Sequence, residues 1–227
     1  MREIVLDTET TGLDHATGDR LVEVACVELV NHVPSGVTFQ RYVNPERPMS
    51  EGAQAIHGLS DEFLRPFPPF VEIVDELLEF LADAPLVIHT AAFDMGFLNM
   101  ELTRLGRPPI PGARAIDTVA IARRRFPGAR VSLDELCRRF EIDNSMRDLH
   151  GALLDARLLA DVYLELIGGR QPDLALLGPT VAASAGGPAP VVGQYAGRVP
   201  RRHTATAEEL AAHAALVAKL KSPLWTN

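Results

Sequence analysis

Cysteine is scarce: Cys26 and Cys137 are the only two in 227 residues. They stand in apolar strand-like and helix-like contexts without metal-ligand spacing. A zinc site or a disulfide framework is therefore excluded as the organising device, and both read as reduced core residues, with a single disulfide left open. Long apolar runs are missing too. Nothing approaches the roughly 20 consecutive apolar residues of a membrane span, and Met1-Arg2-Glu3-Ile4 leads straight into a strand pattern without a signal-peptide core. A cytoplasmic protein with no membrane partner is expected. Positive charge is short as well, 22 Lys+Arg against 30 Asp+Glu for a net charge of −8. That balance argues against gripping duplex nucleic acid by bulk charge, while leaving room for a few phosphate contacts made through metals. What is present is globular composition, 47% hydrophobic and 23% charged, in a chain long enough to bury a core without staples.

The order of patterns along the chain points to an α/β fold. Ile4-Val5-Leu6-Asp7-Thr8-Glu9 is branched and apolar and ends at Thr11-Gly12, which predicts a central strand leaving the core at a turn. Residues 21–29 and 37–43 read as two further strands joined by a turn around 31–36. From Pro69 the period changes: Val71, Val74, Leu77, Leu78 and Leu81 predict an amphipathic helix over 71–83. A buried strand over 86–89, a helix over about 93–105 and a short strand near 115–118 follow. Helices are then expected at 119–126, 132–140 and 151–167, the second opened by a capping box between Ser132 and Glu135. This order gives a mixed sheet flanked by helices. Past Gly168-Gly169 the composition shifts. Residues from about 178 to 200 are rich in Ala, Gly and Pro and read as a linker. Thr206 to Glu209 is a second capping box, opening an Ala-rich helix to about Lys221. Lys219 and Lys221, the only lysines of the chain, are expected in its last turn, where the helix dipole favours them.

Three short stretches carry chemistry. Asp7 and Glu9, two apart on a strand, project from the same face. Two acids on an apolar central strand are costly unless something positive lies between them, or unless the strand end frays into solvent. Asp94, in His89-Thr90-Ala91-Ala92-Phe93-Asp94, follows the carboxyl end of a strand, where α/β sheets place their sites; alone it would serve equally as a helix N-terminal acid. Asp155 shares a helical face with Leu159, Val162 and Leu166, so an acid lies on a stripe facing the core, with His150 at or just before the helix start. A lone histidine there would ordinarily be a hydrogen-bonded surface residue. Together, four carboxylates and one histidine from separate elements form the oxygen-rich donor set of hard cations such as Mg²⁺ or Mn²⁺. Two such ions roughly 3.5–4 Å apart can hold the attacking water and leaving oxygen of a displacement at phosphorus.

Asp7-Thr8-Glu9-Thr10-Thr11-Gly12, His89-x-Ala-x-Phe-Asp94 and His150-x4-Asp155 resemble, in order and spacing over residues 4–167, the three exonuclease motifs of the DEDDh 3′–5′ exonucleases. Ile56-His57-Gly58-Leu59 resembles the family's substrate-side loop. The resemblance implies a ribonuclease H-like fold, with a mixed five-stranded sheet flanked by helices, and removal of 3′-terminal nucleotides as monophosphates. It implies that Asp7, Glu9, Asp94 and Asp155 bind two divalent cations, and that His150 acts as general base. His57 and the backbone around Thr10 would contact the terminal nucleotide. Thr90 departs from the family, which usually has Asn there. Glu51 stands one place off the family's acid and is left out of the site, and Asp117 is assigned a supporting structural role.

Within the family the likeness is to the proofreading branch that serves bacterial DNA polymerase III. Gln171 with Leu174, Leu176 and Leu177 is similar to a short sliding-clamp-binding peptide. Residues 206–225 resemble a tail that binds the polymerase catalytic (alpha) subunit, with Trp225, the only Trp, as anchor. The expected organisation is an exonuclease domain over 1–170, a clamp motif and linker over 171–205, and a polymerase-binding segment over 206–227. The expected substrate is a single-stranded or frayed DNA 3′ end. An RNA-trimming exonuclease of the same family and a replicase scaffold with a dead nuclease are the alternatives.

Overall fold

In the computed structural model the chain divides into two units, Met1–Ala175 and Leu176–Asn227. The structure describes residues 1–145, 149–168 and 205–219. The linker at 178–200, the clamp-like segment at 171–177, Lys221 and Trp225 lie outside them.

The first unit opens with β1 (Arg2–Thr10), β2 (Leu21–Val30) and β3 (Val33–Tyr42), an antiparallel meander. The turn between β2 and β3 is tighter than the expected 31–36. Only Asn31 and His32 form it, both at positive φ (52° and 68°), the backbone of a two-residue hairpin that matches strand twist. Val33 and Pro34 therefore pair with Val30 and Leu29 instead of looping, and the register shifts beyond them before Thr38 meets Val27. Pro34 is accommodated because β3 is an edge strand. Two short helices then appear that hydrophobic periodicity does not announce, α1 (Glu51–His57) and α2 (Asp61–Leu64). Ser50 and Ser60 start them by accepting the backbone N–H of Ala53 and Phe63. His57 is thus the last residue of a helix, not part of a loop. Gly58 closes that helix at φ 74°, where a Cβ would also sit 2.8 Å from Leu149 Cδ1.

Next come α3 (Phe70–Leu81), β4 (Leu86–Ile88), α4 (Ala91–Arg104), β5 (Ala115–Asp117), α5 (Thr118–Arg125), α6 (Leu133–Phe140) and α7 (Ala152–Leu166). β4 and β5 add in parallel, giving one five-stranded mixed sheet in the order β3-β2-β1-β4-β5. Alternation along β1 divides the core. Ile4 and Leu6 face α3 and α4, packing with Leu77, Leu81, Phe97 and Leu98. Val5 faces the other side, with Ala122, Leu136, Leu159 and Val162 of α5, α6 and α7. Cys26 and Cys137 are free and buried, one in each layer. Arg20 ties the first layer to the meander through two bonds to buried Glu101, Nε–Oε1 2.5 Å and Nη2–Oε2 2.9 Å.

The helix ends refine two expectations. Ser132 caps α6 by accepting Glu135 N–H, but the Glu135 carboxylate takes Arg138 Nη1 (3.0 and 3.1 Å). Only half of the capping box forms there. In the second unit α8 (Ala207–Val217) does open with a reciprocal box between Thr206 and Glu209. It ends two residues before Lys219, so its last turn carries no basic side chain. Asp117 acts as expected of a structural acid, capping α5 through Val119 N–H at 2.9 Å.

Thr90 stands at the junction of β4 and α4 with φ 69° and ψ 57° and makes no side-chain cap bond. This left-handed backbone is strained for a β-branched residue, whereas Asn adopts it readily. Thr90→Asn should therefore raise the unfolding free energy by about 1 kcal/mol. Urea denaturation at neutral pH measures it, and an unchanged or lower midpoint would show that the strain is relieved elsewhere.

Candidate active site

The site forms because α7 is laid lengthwise on one face of β1. Glu3, Val5, Asp7 and Glu9 alternate onto that face. Near the end of α7, Tyr163 Oη donates to fully buried Glu3 (2.8 Å). At its start, Ala152 N–H donates to Glu23 (3.2 Å), a buried β2 carboxylate paired across from Glu9. Gly151 has no side chain to cap this helix, so Glu23 from the neighbouring strand supplies the acceptor. Gln40 Nε2 also donates to Glu23 (2.7 Å). Burial raises its pKa above the ordinary carboxylate range, with Asp155 nearby adding to the effect. A helix held at both ends runs antiparallel to β1, so its first turn lies over the carboxyl end of the strand.

That register brings the third stretch onto the first. Asp155 is 3% exposed. The His150 imidazole is 47% exposed, with Nδ1 3.6 Å from Asp155 Oδ2. Its backbone N–H is fixed by the Ile56 carbonyl at 3.1 Å. Glu9, His150 and Asp155 each offer a ligand atom, and these lie within 4.8 Å of one another.

Asp94 comes from the opposite face. Thr8, between Asp7 and Glu9, points toward α4 and donates its hydroxyl to Asp94 Oδ1 (2.7 Å). Asp94 is 3% exposed. Burial pushes its carboxyl up to about 7, against the pull of the Thr8 hydroxyl and of backbone N–H groups. The two helices thus deliver acids over the same end of the sheet from its two sides.

All seven residues singled out in the sequence (Asp7, Glu9, Thr10, His57, Asp94, His150 and Asp155) line one cavity of about 930 Å³. Thr10 is buried, and its hydroxyl donates to the Gly12 carbonyl (2.6 Å). His57 Nδ1 accepts Leu59 N–H (3.0 Å), which puts the ring proton on Nε2, 3.2 Å from the Thr10 carbonyl. Both nitrogens are engaged, so a ligand reaching either would replace one of these bonds. Burial lowers the His57 pKa, despite the Thr10 bond and with His150 adding to the fall. The neutral ring is the stable form.

The cavity also has walls beyond these seven residues. Leu13 (81% exposed) and Ile56 (46% exposed) sit at it with Phe93, and Ser132, Leu133 and Asp134 bring in the start of α6. Gly12 is needed for close approach, since a Cβ there would lie 2.2 Å from Asp19 Oδ2. Asp19 cannot easily yield, because Thr11 Oγ1 (3.1 Å) and Arg47 Nη1 (3.1 Å) hold it. Leu13 belongs to no motif and no periodic pattern, so its exposure alone reveals it. The donor set at the centre is carboxylate oxygen with one imidazole, and like charges packed this closely suit hard divalent cations between them.

Comparison with known proteins agrees with this geometry. Residues 4–163 match the family described as Exonuclease (RNase_T). The chain is 52% identical over 184 residues to DNA polymerase III subunit epsilon of Rickettsia felis, covering 80% of each chain. It is 48% identical over 177 residues to the protein of the same name from Escherichia coli K12, covering 74% of this chain and 72% of the relative. Among solved structures, Exonuclease X in complex with 5′ overhanging duplex DNA superposes with TM-score 0.56 at 25% identity, covering 72% of this chain and 90% of that one. The nuclease domain of 3′hExo, a DEDDh family member bound to rAMP, shares the fold with TM-score 0.64 at 18% identity, covering 73% of this chain and 91% of that one.

The Asp94 shift fixes a pH dependence for the cation-free protein. Its folded pKa is raised, so the folded state keeps a proton that the unfolded state releases. Its contribution to stability is present in full below the ordinary value of 3.8 and is lost as pH rises toward about 7. With chelator present, Asp94→Asn should flatten this part of the pH–stability curve and melt higher than the parent near pH 8. Parallel curves for the two proteins would contradict the shift.

Proposed function

The chain belongs to the exonuclease family, and on that premise we propose that it is the proofreading 3′–5′ exonuclease subunit of a bacterial DNA polymerase III. It removes mispaired 3′-terminal nucleotides from a single-stranded or frayed DNA end by hydrolysing the terminal phosphodiester. The single observation that carries this reading is the convergence of Asp7, Glu9, Asp94, Asp155 and His150 on one cavity from three separate elements and the segment before α7. The same set speaks against a scaffold with a dead nuclease, which has no need to keep the acids together. The names of the relatives favour DNA over RNA.

Asp7, Glu9, Asp94 and Asp155 would hold two divalent cations, Mg²⁺ or Mn²⁺. When bound, these neutralise the acids and the scissile phosphate and orient water and leaving oxygen for in-line displacement. His150 serves as general base. Half exposed and fixed through its backbone, its imidazole stands where solvent water reaches it, and imidazole is the side chain most often used to take a proton from water. Thr10 and His57 position the terminal nucleotide, and the apolar walls at Leu13, Ile56 and Phe93 suit a base.

We further assign the exonuclease to residues 1–170, and a clamp contact to the segment 171–177 within the linker region 171–205. Residues 206–227 bind the catalytic (alpha) subunit. Tethering supplies the DNA affinity that an acidic nuclease lacks, through effective concentration. The replicase setting places the protein in the cytoplasm, and among the described residues no helix is long and apolar enough to cross a membrane.

Asp7→Ala or Asp155→Ala should abolish Mg²⁺-dependent digestion of a labelled single strand while the domain stays folded by circular dichroism. His150→Ala should lose roughly 10²–10⁴-fold in rate and the acid limb of the pH–rate profile. Near-normal turnover in either acid variant would remove the cation assignment, and an unchanged pH profile would remove His150.

A fragment of residues 1–170 should digest single strands at nearly the full-length rate but no longer co-purify with the polymerase subunit. In the full chain, Trp225→Ala should weaken that association by about 2 kcal/mol or more. Co-elution of the fragment with the polymerase at micromolar concentration would contradict the tail assignment.

A further inference from the structure

The arginines of this acidic chain are unevenly distributed. Arg123, Arg124, Arg125, Arg130, Arg138 and Arg139 fall within one stretch that holds only two acids, Asp134 and Glu135. All six are exposed. They occupy the end of α5, the turn after it and the end of α6. Two of them share a ring: the Arg125 and Arg139 guanidinium carbons stand 5.7 Å and 4.5 Å from the centre of Phe126. Arg138 has a partner in Glu135 (3.0 Å). Arg123, Arg124 and Arg130 have no ion pair or hydrogen bond among the described residues. Like charges gathered in this way repel one another unless an anion lies across them.

The surface begins at the cavity. Ser132, Leu133 and Asp134 line it, and Arg130 stands two residues before Ser132. From Leu133 to Arg139 the axis of α6 runs roughly 9 Å outward. Cations bound among the acids would offset charge only inside the cavity, so the strand that leaves it needs positive groups outside. Arginine is suited to this work, because its planar fork pairs with phosphate oxygens and stays charged at any working pH.

Resting on the reading of the cavity as an exonuclease site, we propose that the arginine surface of α5, α6 and their connecting turn binds the phosphate backbone of the single strand immediately 5′ of the nucleotides in the cavity. It is sequence-neutral and electrostatic. It acts on the affinity for strands long enough to leave the cavity and not on the chemical step.

The test uses the full-length chain carrying Arg123→Gln, Arg124→Gln and Arg130→Gln together. Binding of a fluorescent oligothymidylate is read by anisotropy over a salt series, with Ca²⁺ in place of Mg²⁺. Hydrolysis of p-nitrophenyl thymidine 5′-monophosphate, which fills only the cavity, is read in parallel. The expected result is a Kd raised about tenfold or more at low salt and a salt slope reduced by about 2 for the three lost contacts, with turnover of the small ester unchanged. An unchanged Kd and slope would overturn the proposal, and is the outcome expected if this surface instead serves an acidic protein. Loss of ester turnover equal to the loss of strand affinity would also overturn it, because the cavity itself would then have changed. A parent chain that binds the strand yet hydrolyses neither substrate would overturn the proposed function, while the binding data would still decide the arginine surface.

Discussion

Everything at the site depends on how α7 is docked on β1. The docking is an apolar contact with a polar fastening at each end. Val5, Leu159 and Val162 bury the middle, Tyr163 fastens to Glu3, and Ala152 fastens to Glu23. The fastenings are hydrogen bonds to buried carboxylates, which are costly to leave unmade and so resist sliding. A slip of one helical residue would turn Asp155 away from Glu9. The side-chain period of two on β1 is equally strict, since a one-residue shift would send Asp7 and Glu9 to the opposite layer.

The second constraint is electrostatic. Asp94 and Asp155 are each 3% exposed and Glu9 is 8% exposed, with Asp7 lining the same cavity. Without cations the burial of these acids opposes folding, and burial pushes the Asp94 carboxyl up to about 7. The surrounding fold tolerates it because its two apolar layers are extensive and the Arg20–Glu101 pair locks the meander to α4. Strain gathers at the same place, in the left-handed Thr90 at the head of α4. A site built for cations is one that the empty protein holds at a cost.

Much of this was legible in the sequence, for identifiable reasons. The branched run around Val5 and the helical stripes of α3 and α7 are strong periodic signals, and the acids stood out because they interrupted them. Asp7, Glu9, Asp94 and Asp155 could be grouped by motif spacing, and the structure brings all four to one cavity. What could not be read depended on partners distant in sequence. Glu23 looks like one more strand residue until Ala152, 129 residues away, is seen to need its carboxylate. α1 and α2 are too short for a helical period to show, so local pattern puts His57 in a loop and gives no sign that both its ring nitrogens are engaged. The two-residue turn at Asn31-His32 was hidden by Pro34 and Gly36, which suggested a longer loop where an edge strand in fact begins. At α6 the Glu135 carboxylate had a choice between the cap and Arg138, and local spacing alone did not decide it.

On the proposed mechanism two cations sit among Asp7, Glu9, Asp94 and Asp155, with His150 beside them as a base and not a ligand. Anomalous scattering from a crystal grown with Mn²⁺ and thymidine monophosphate tests it most directly. Two peaks are expected roughly 3.5–4 Å apart, bounded by the four carboxylates, with the His150 imidazole outside bonding distance of both. A single peak held by Glu9, His150 and Asp155, the trio whose ligand atoms already lie within 4.8 Å of one another, would contradict it.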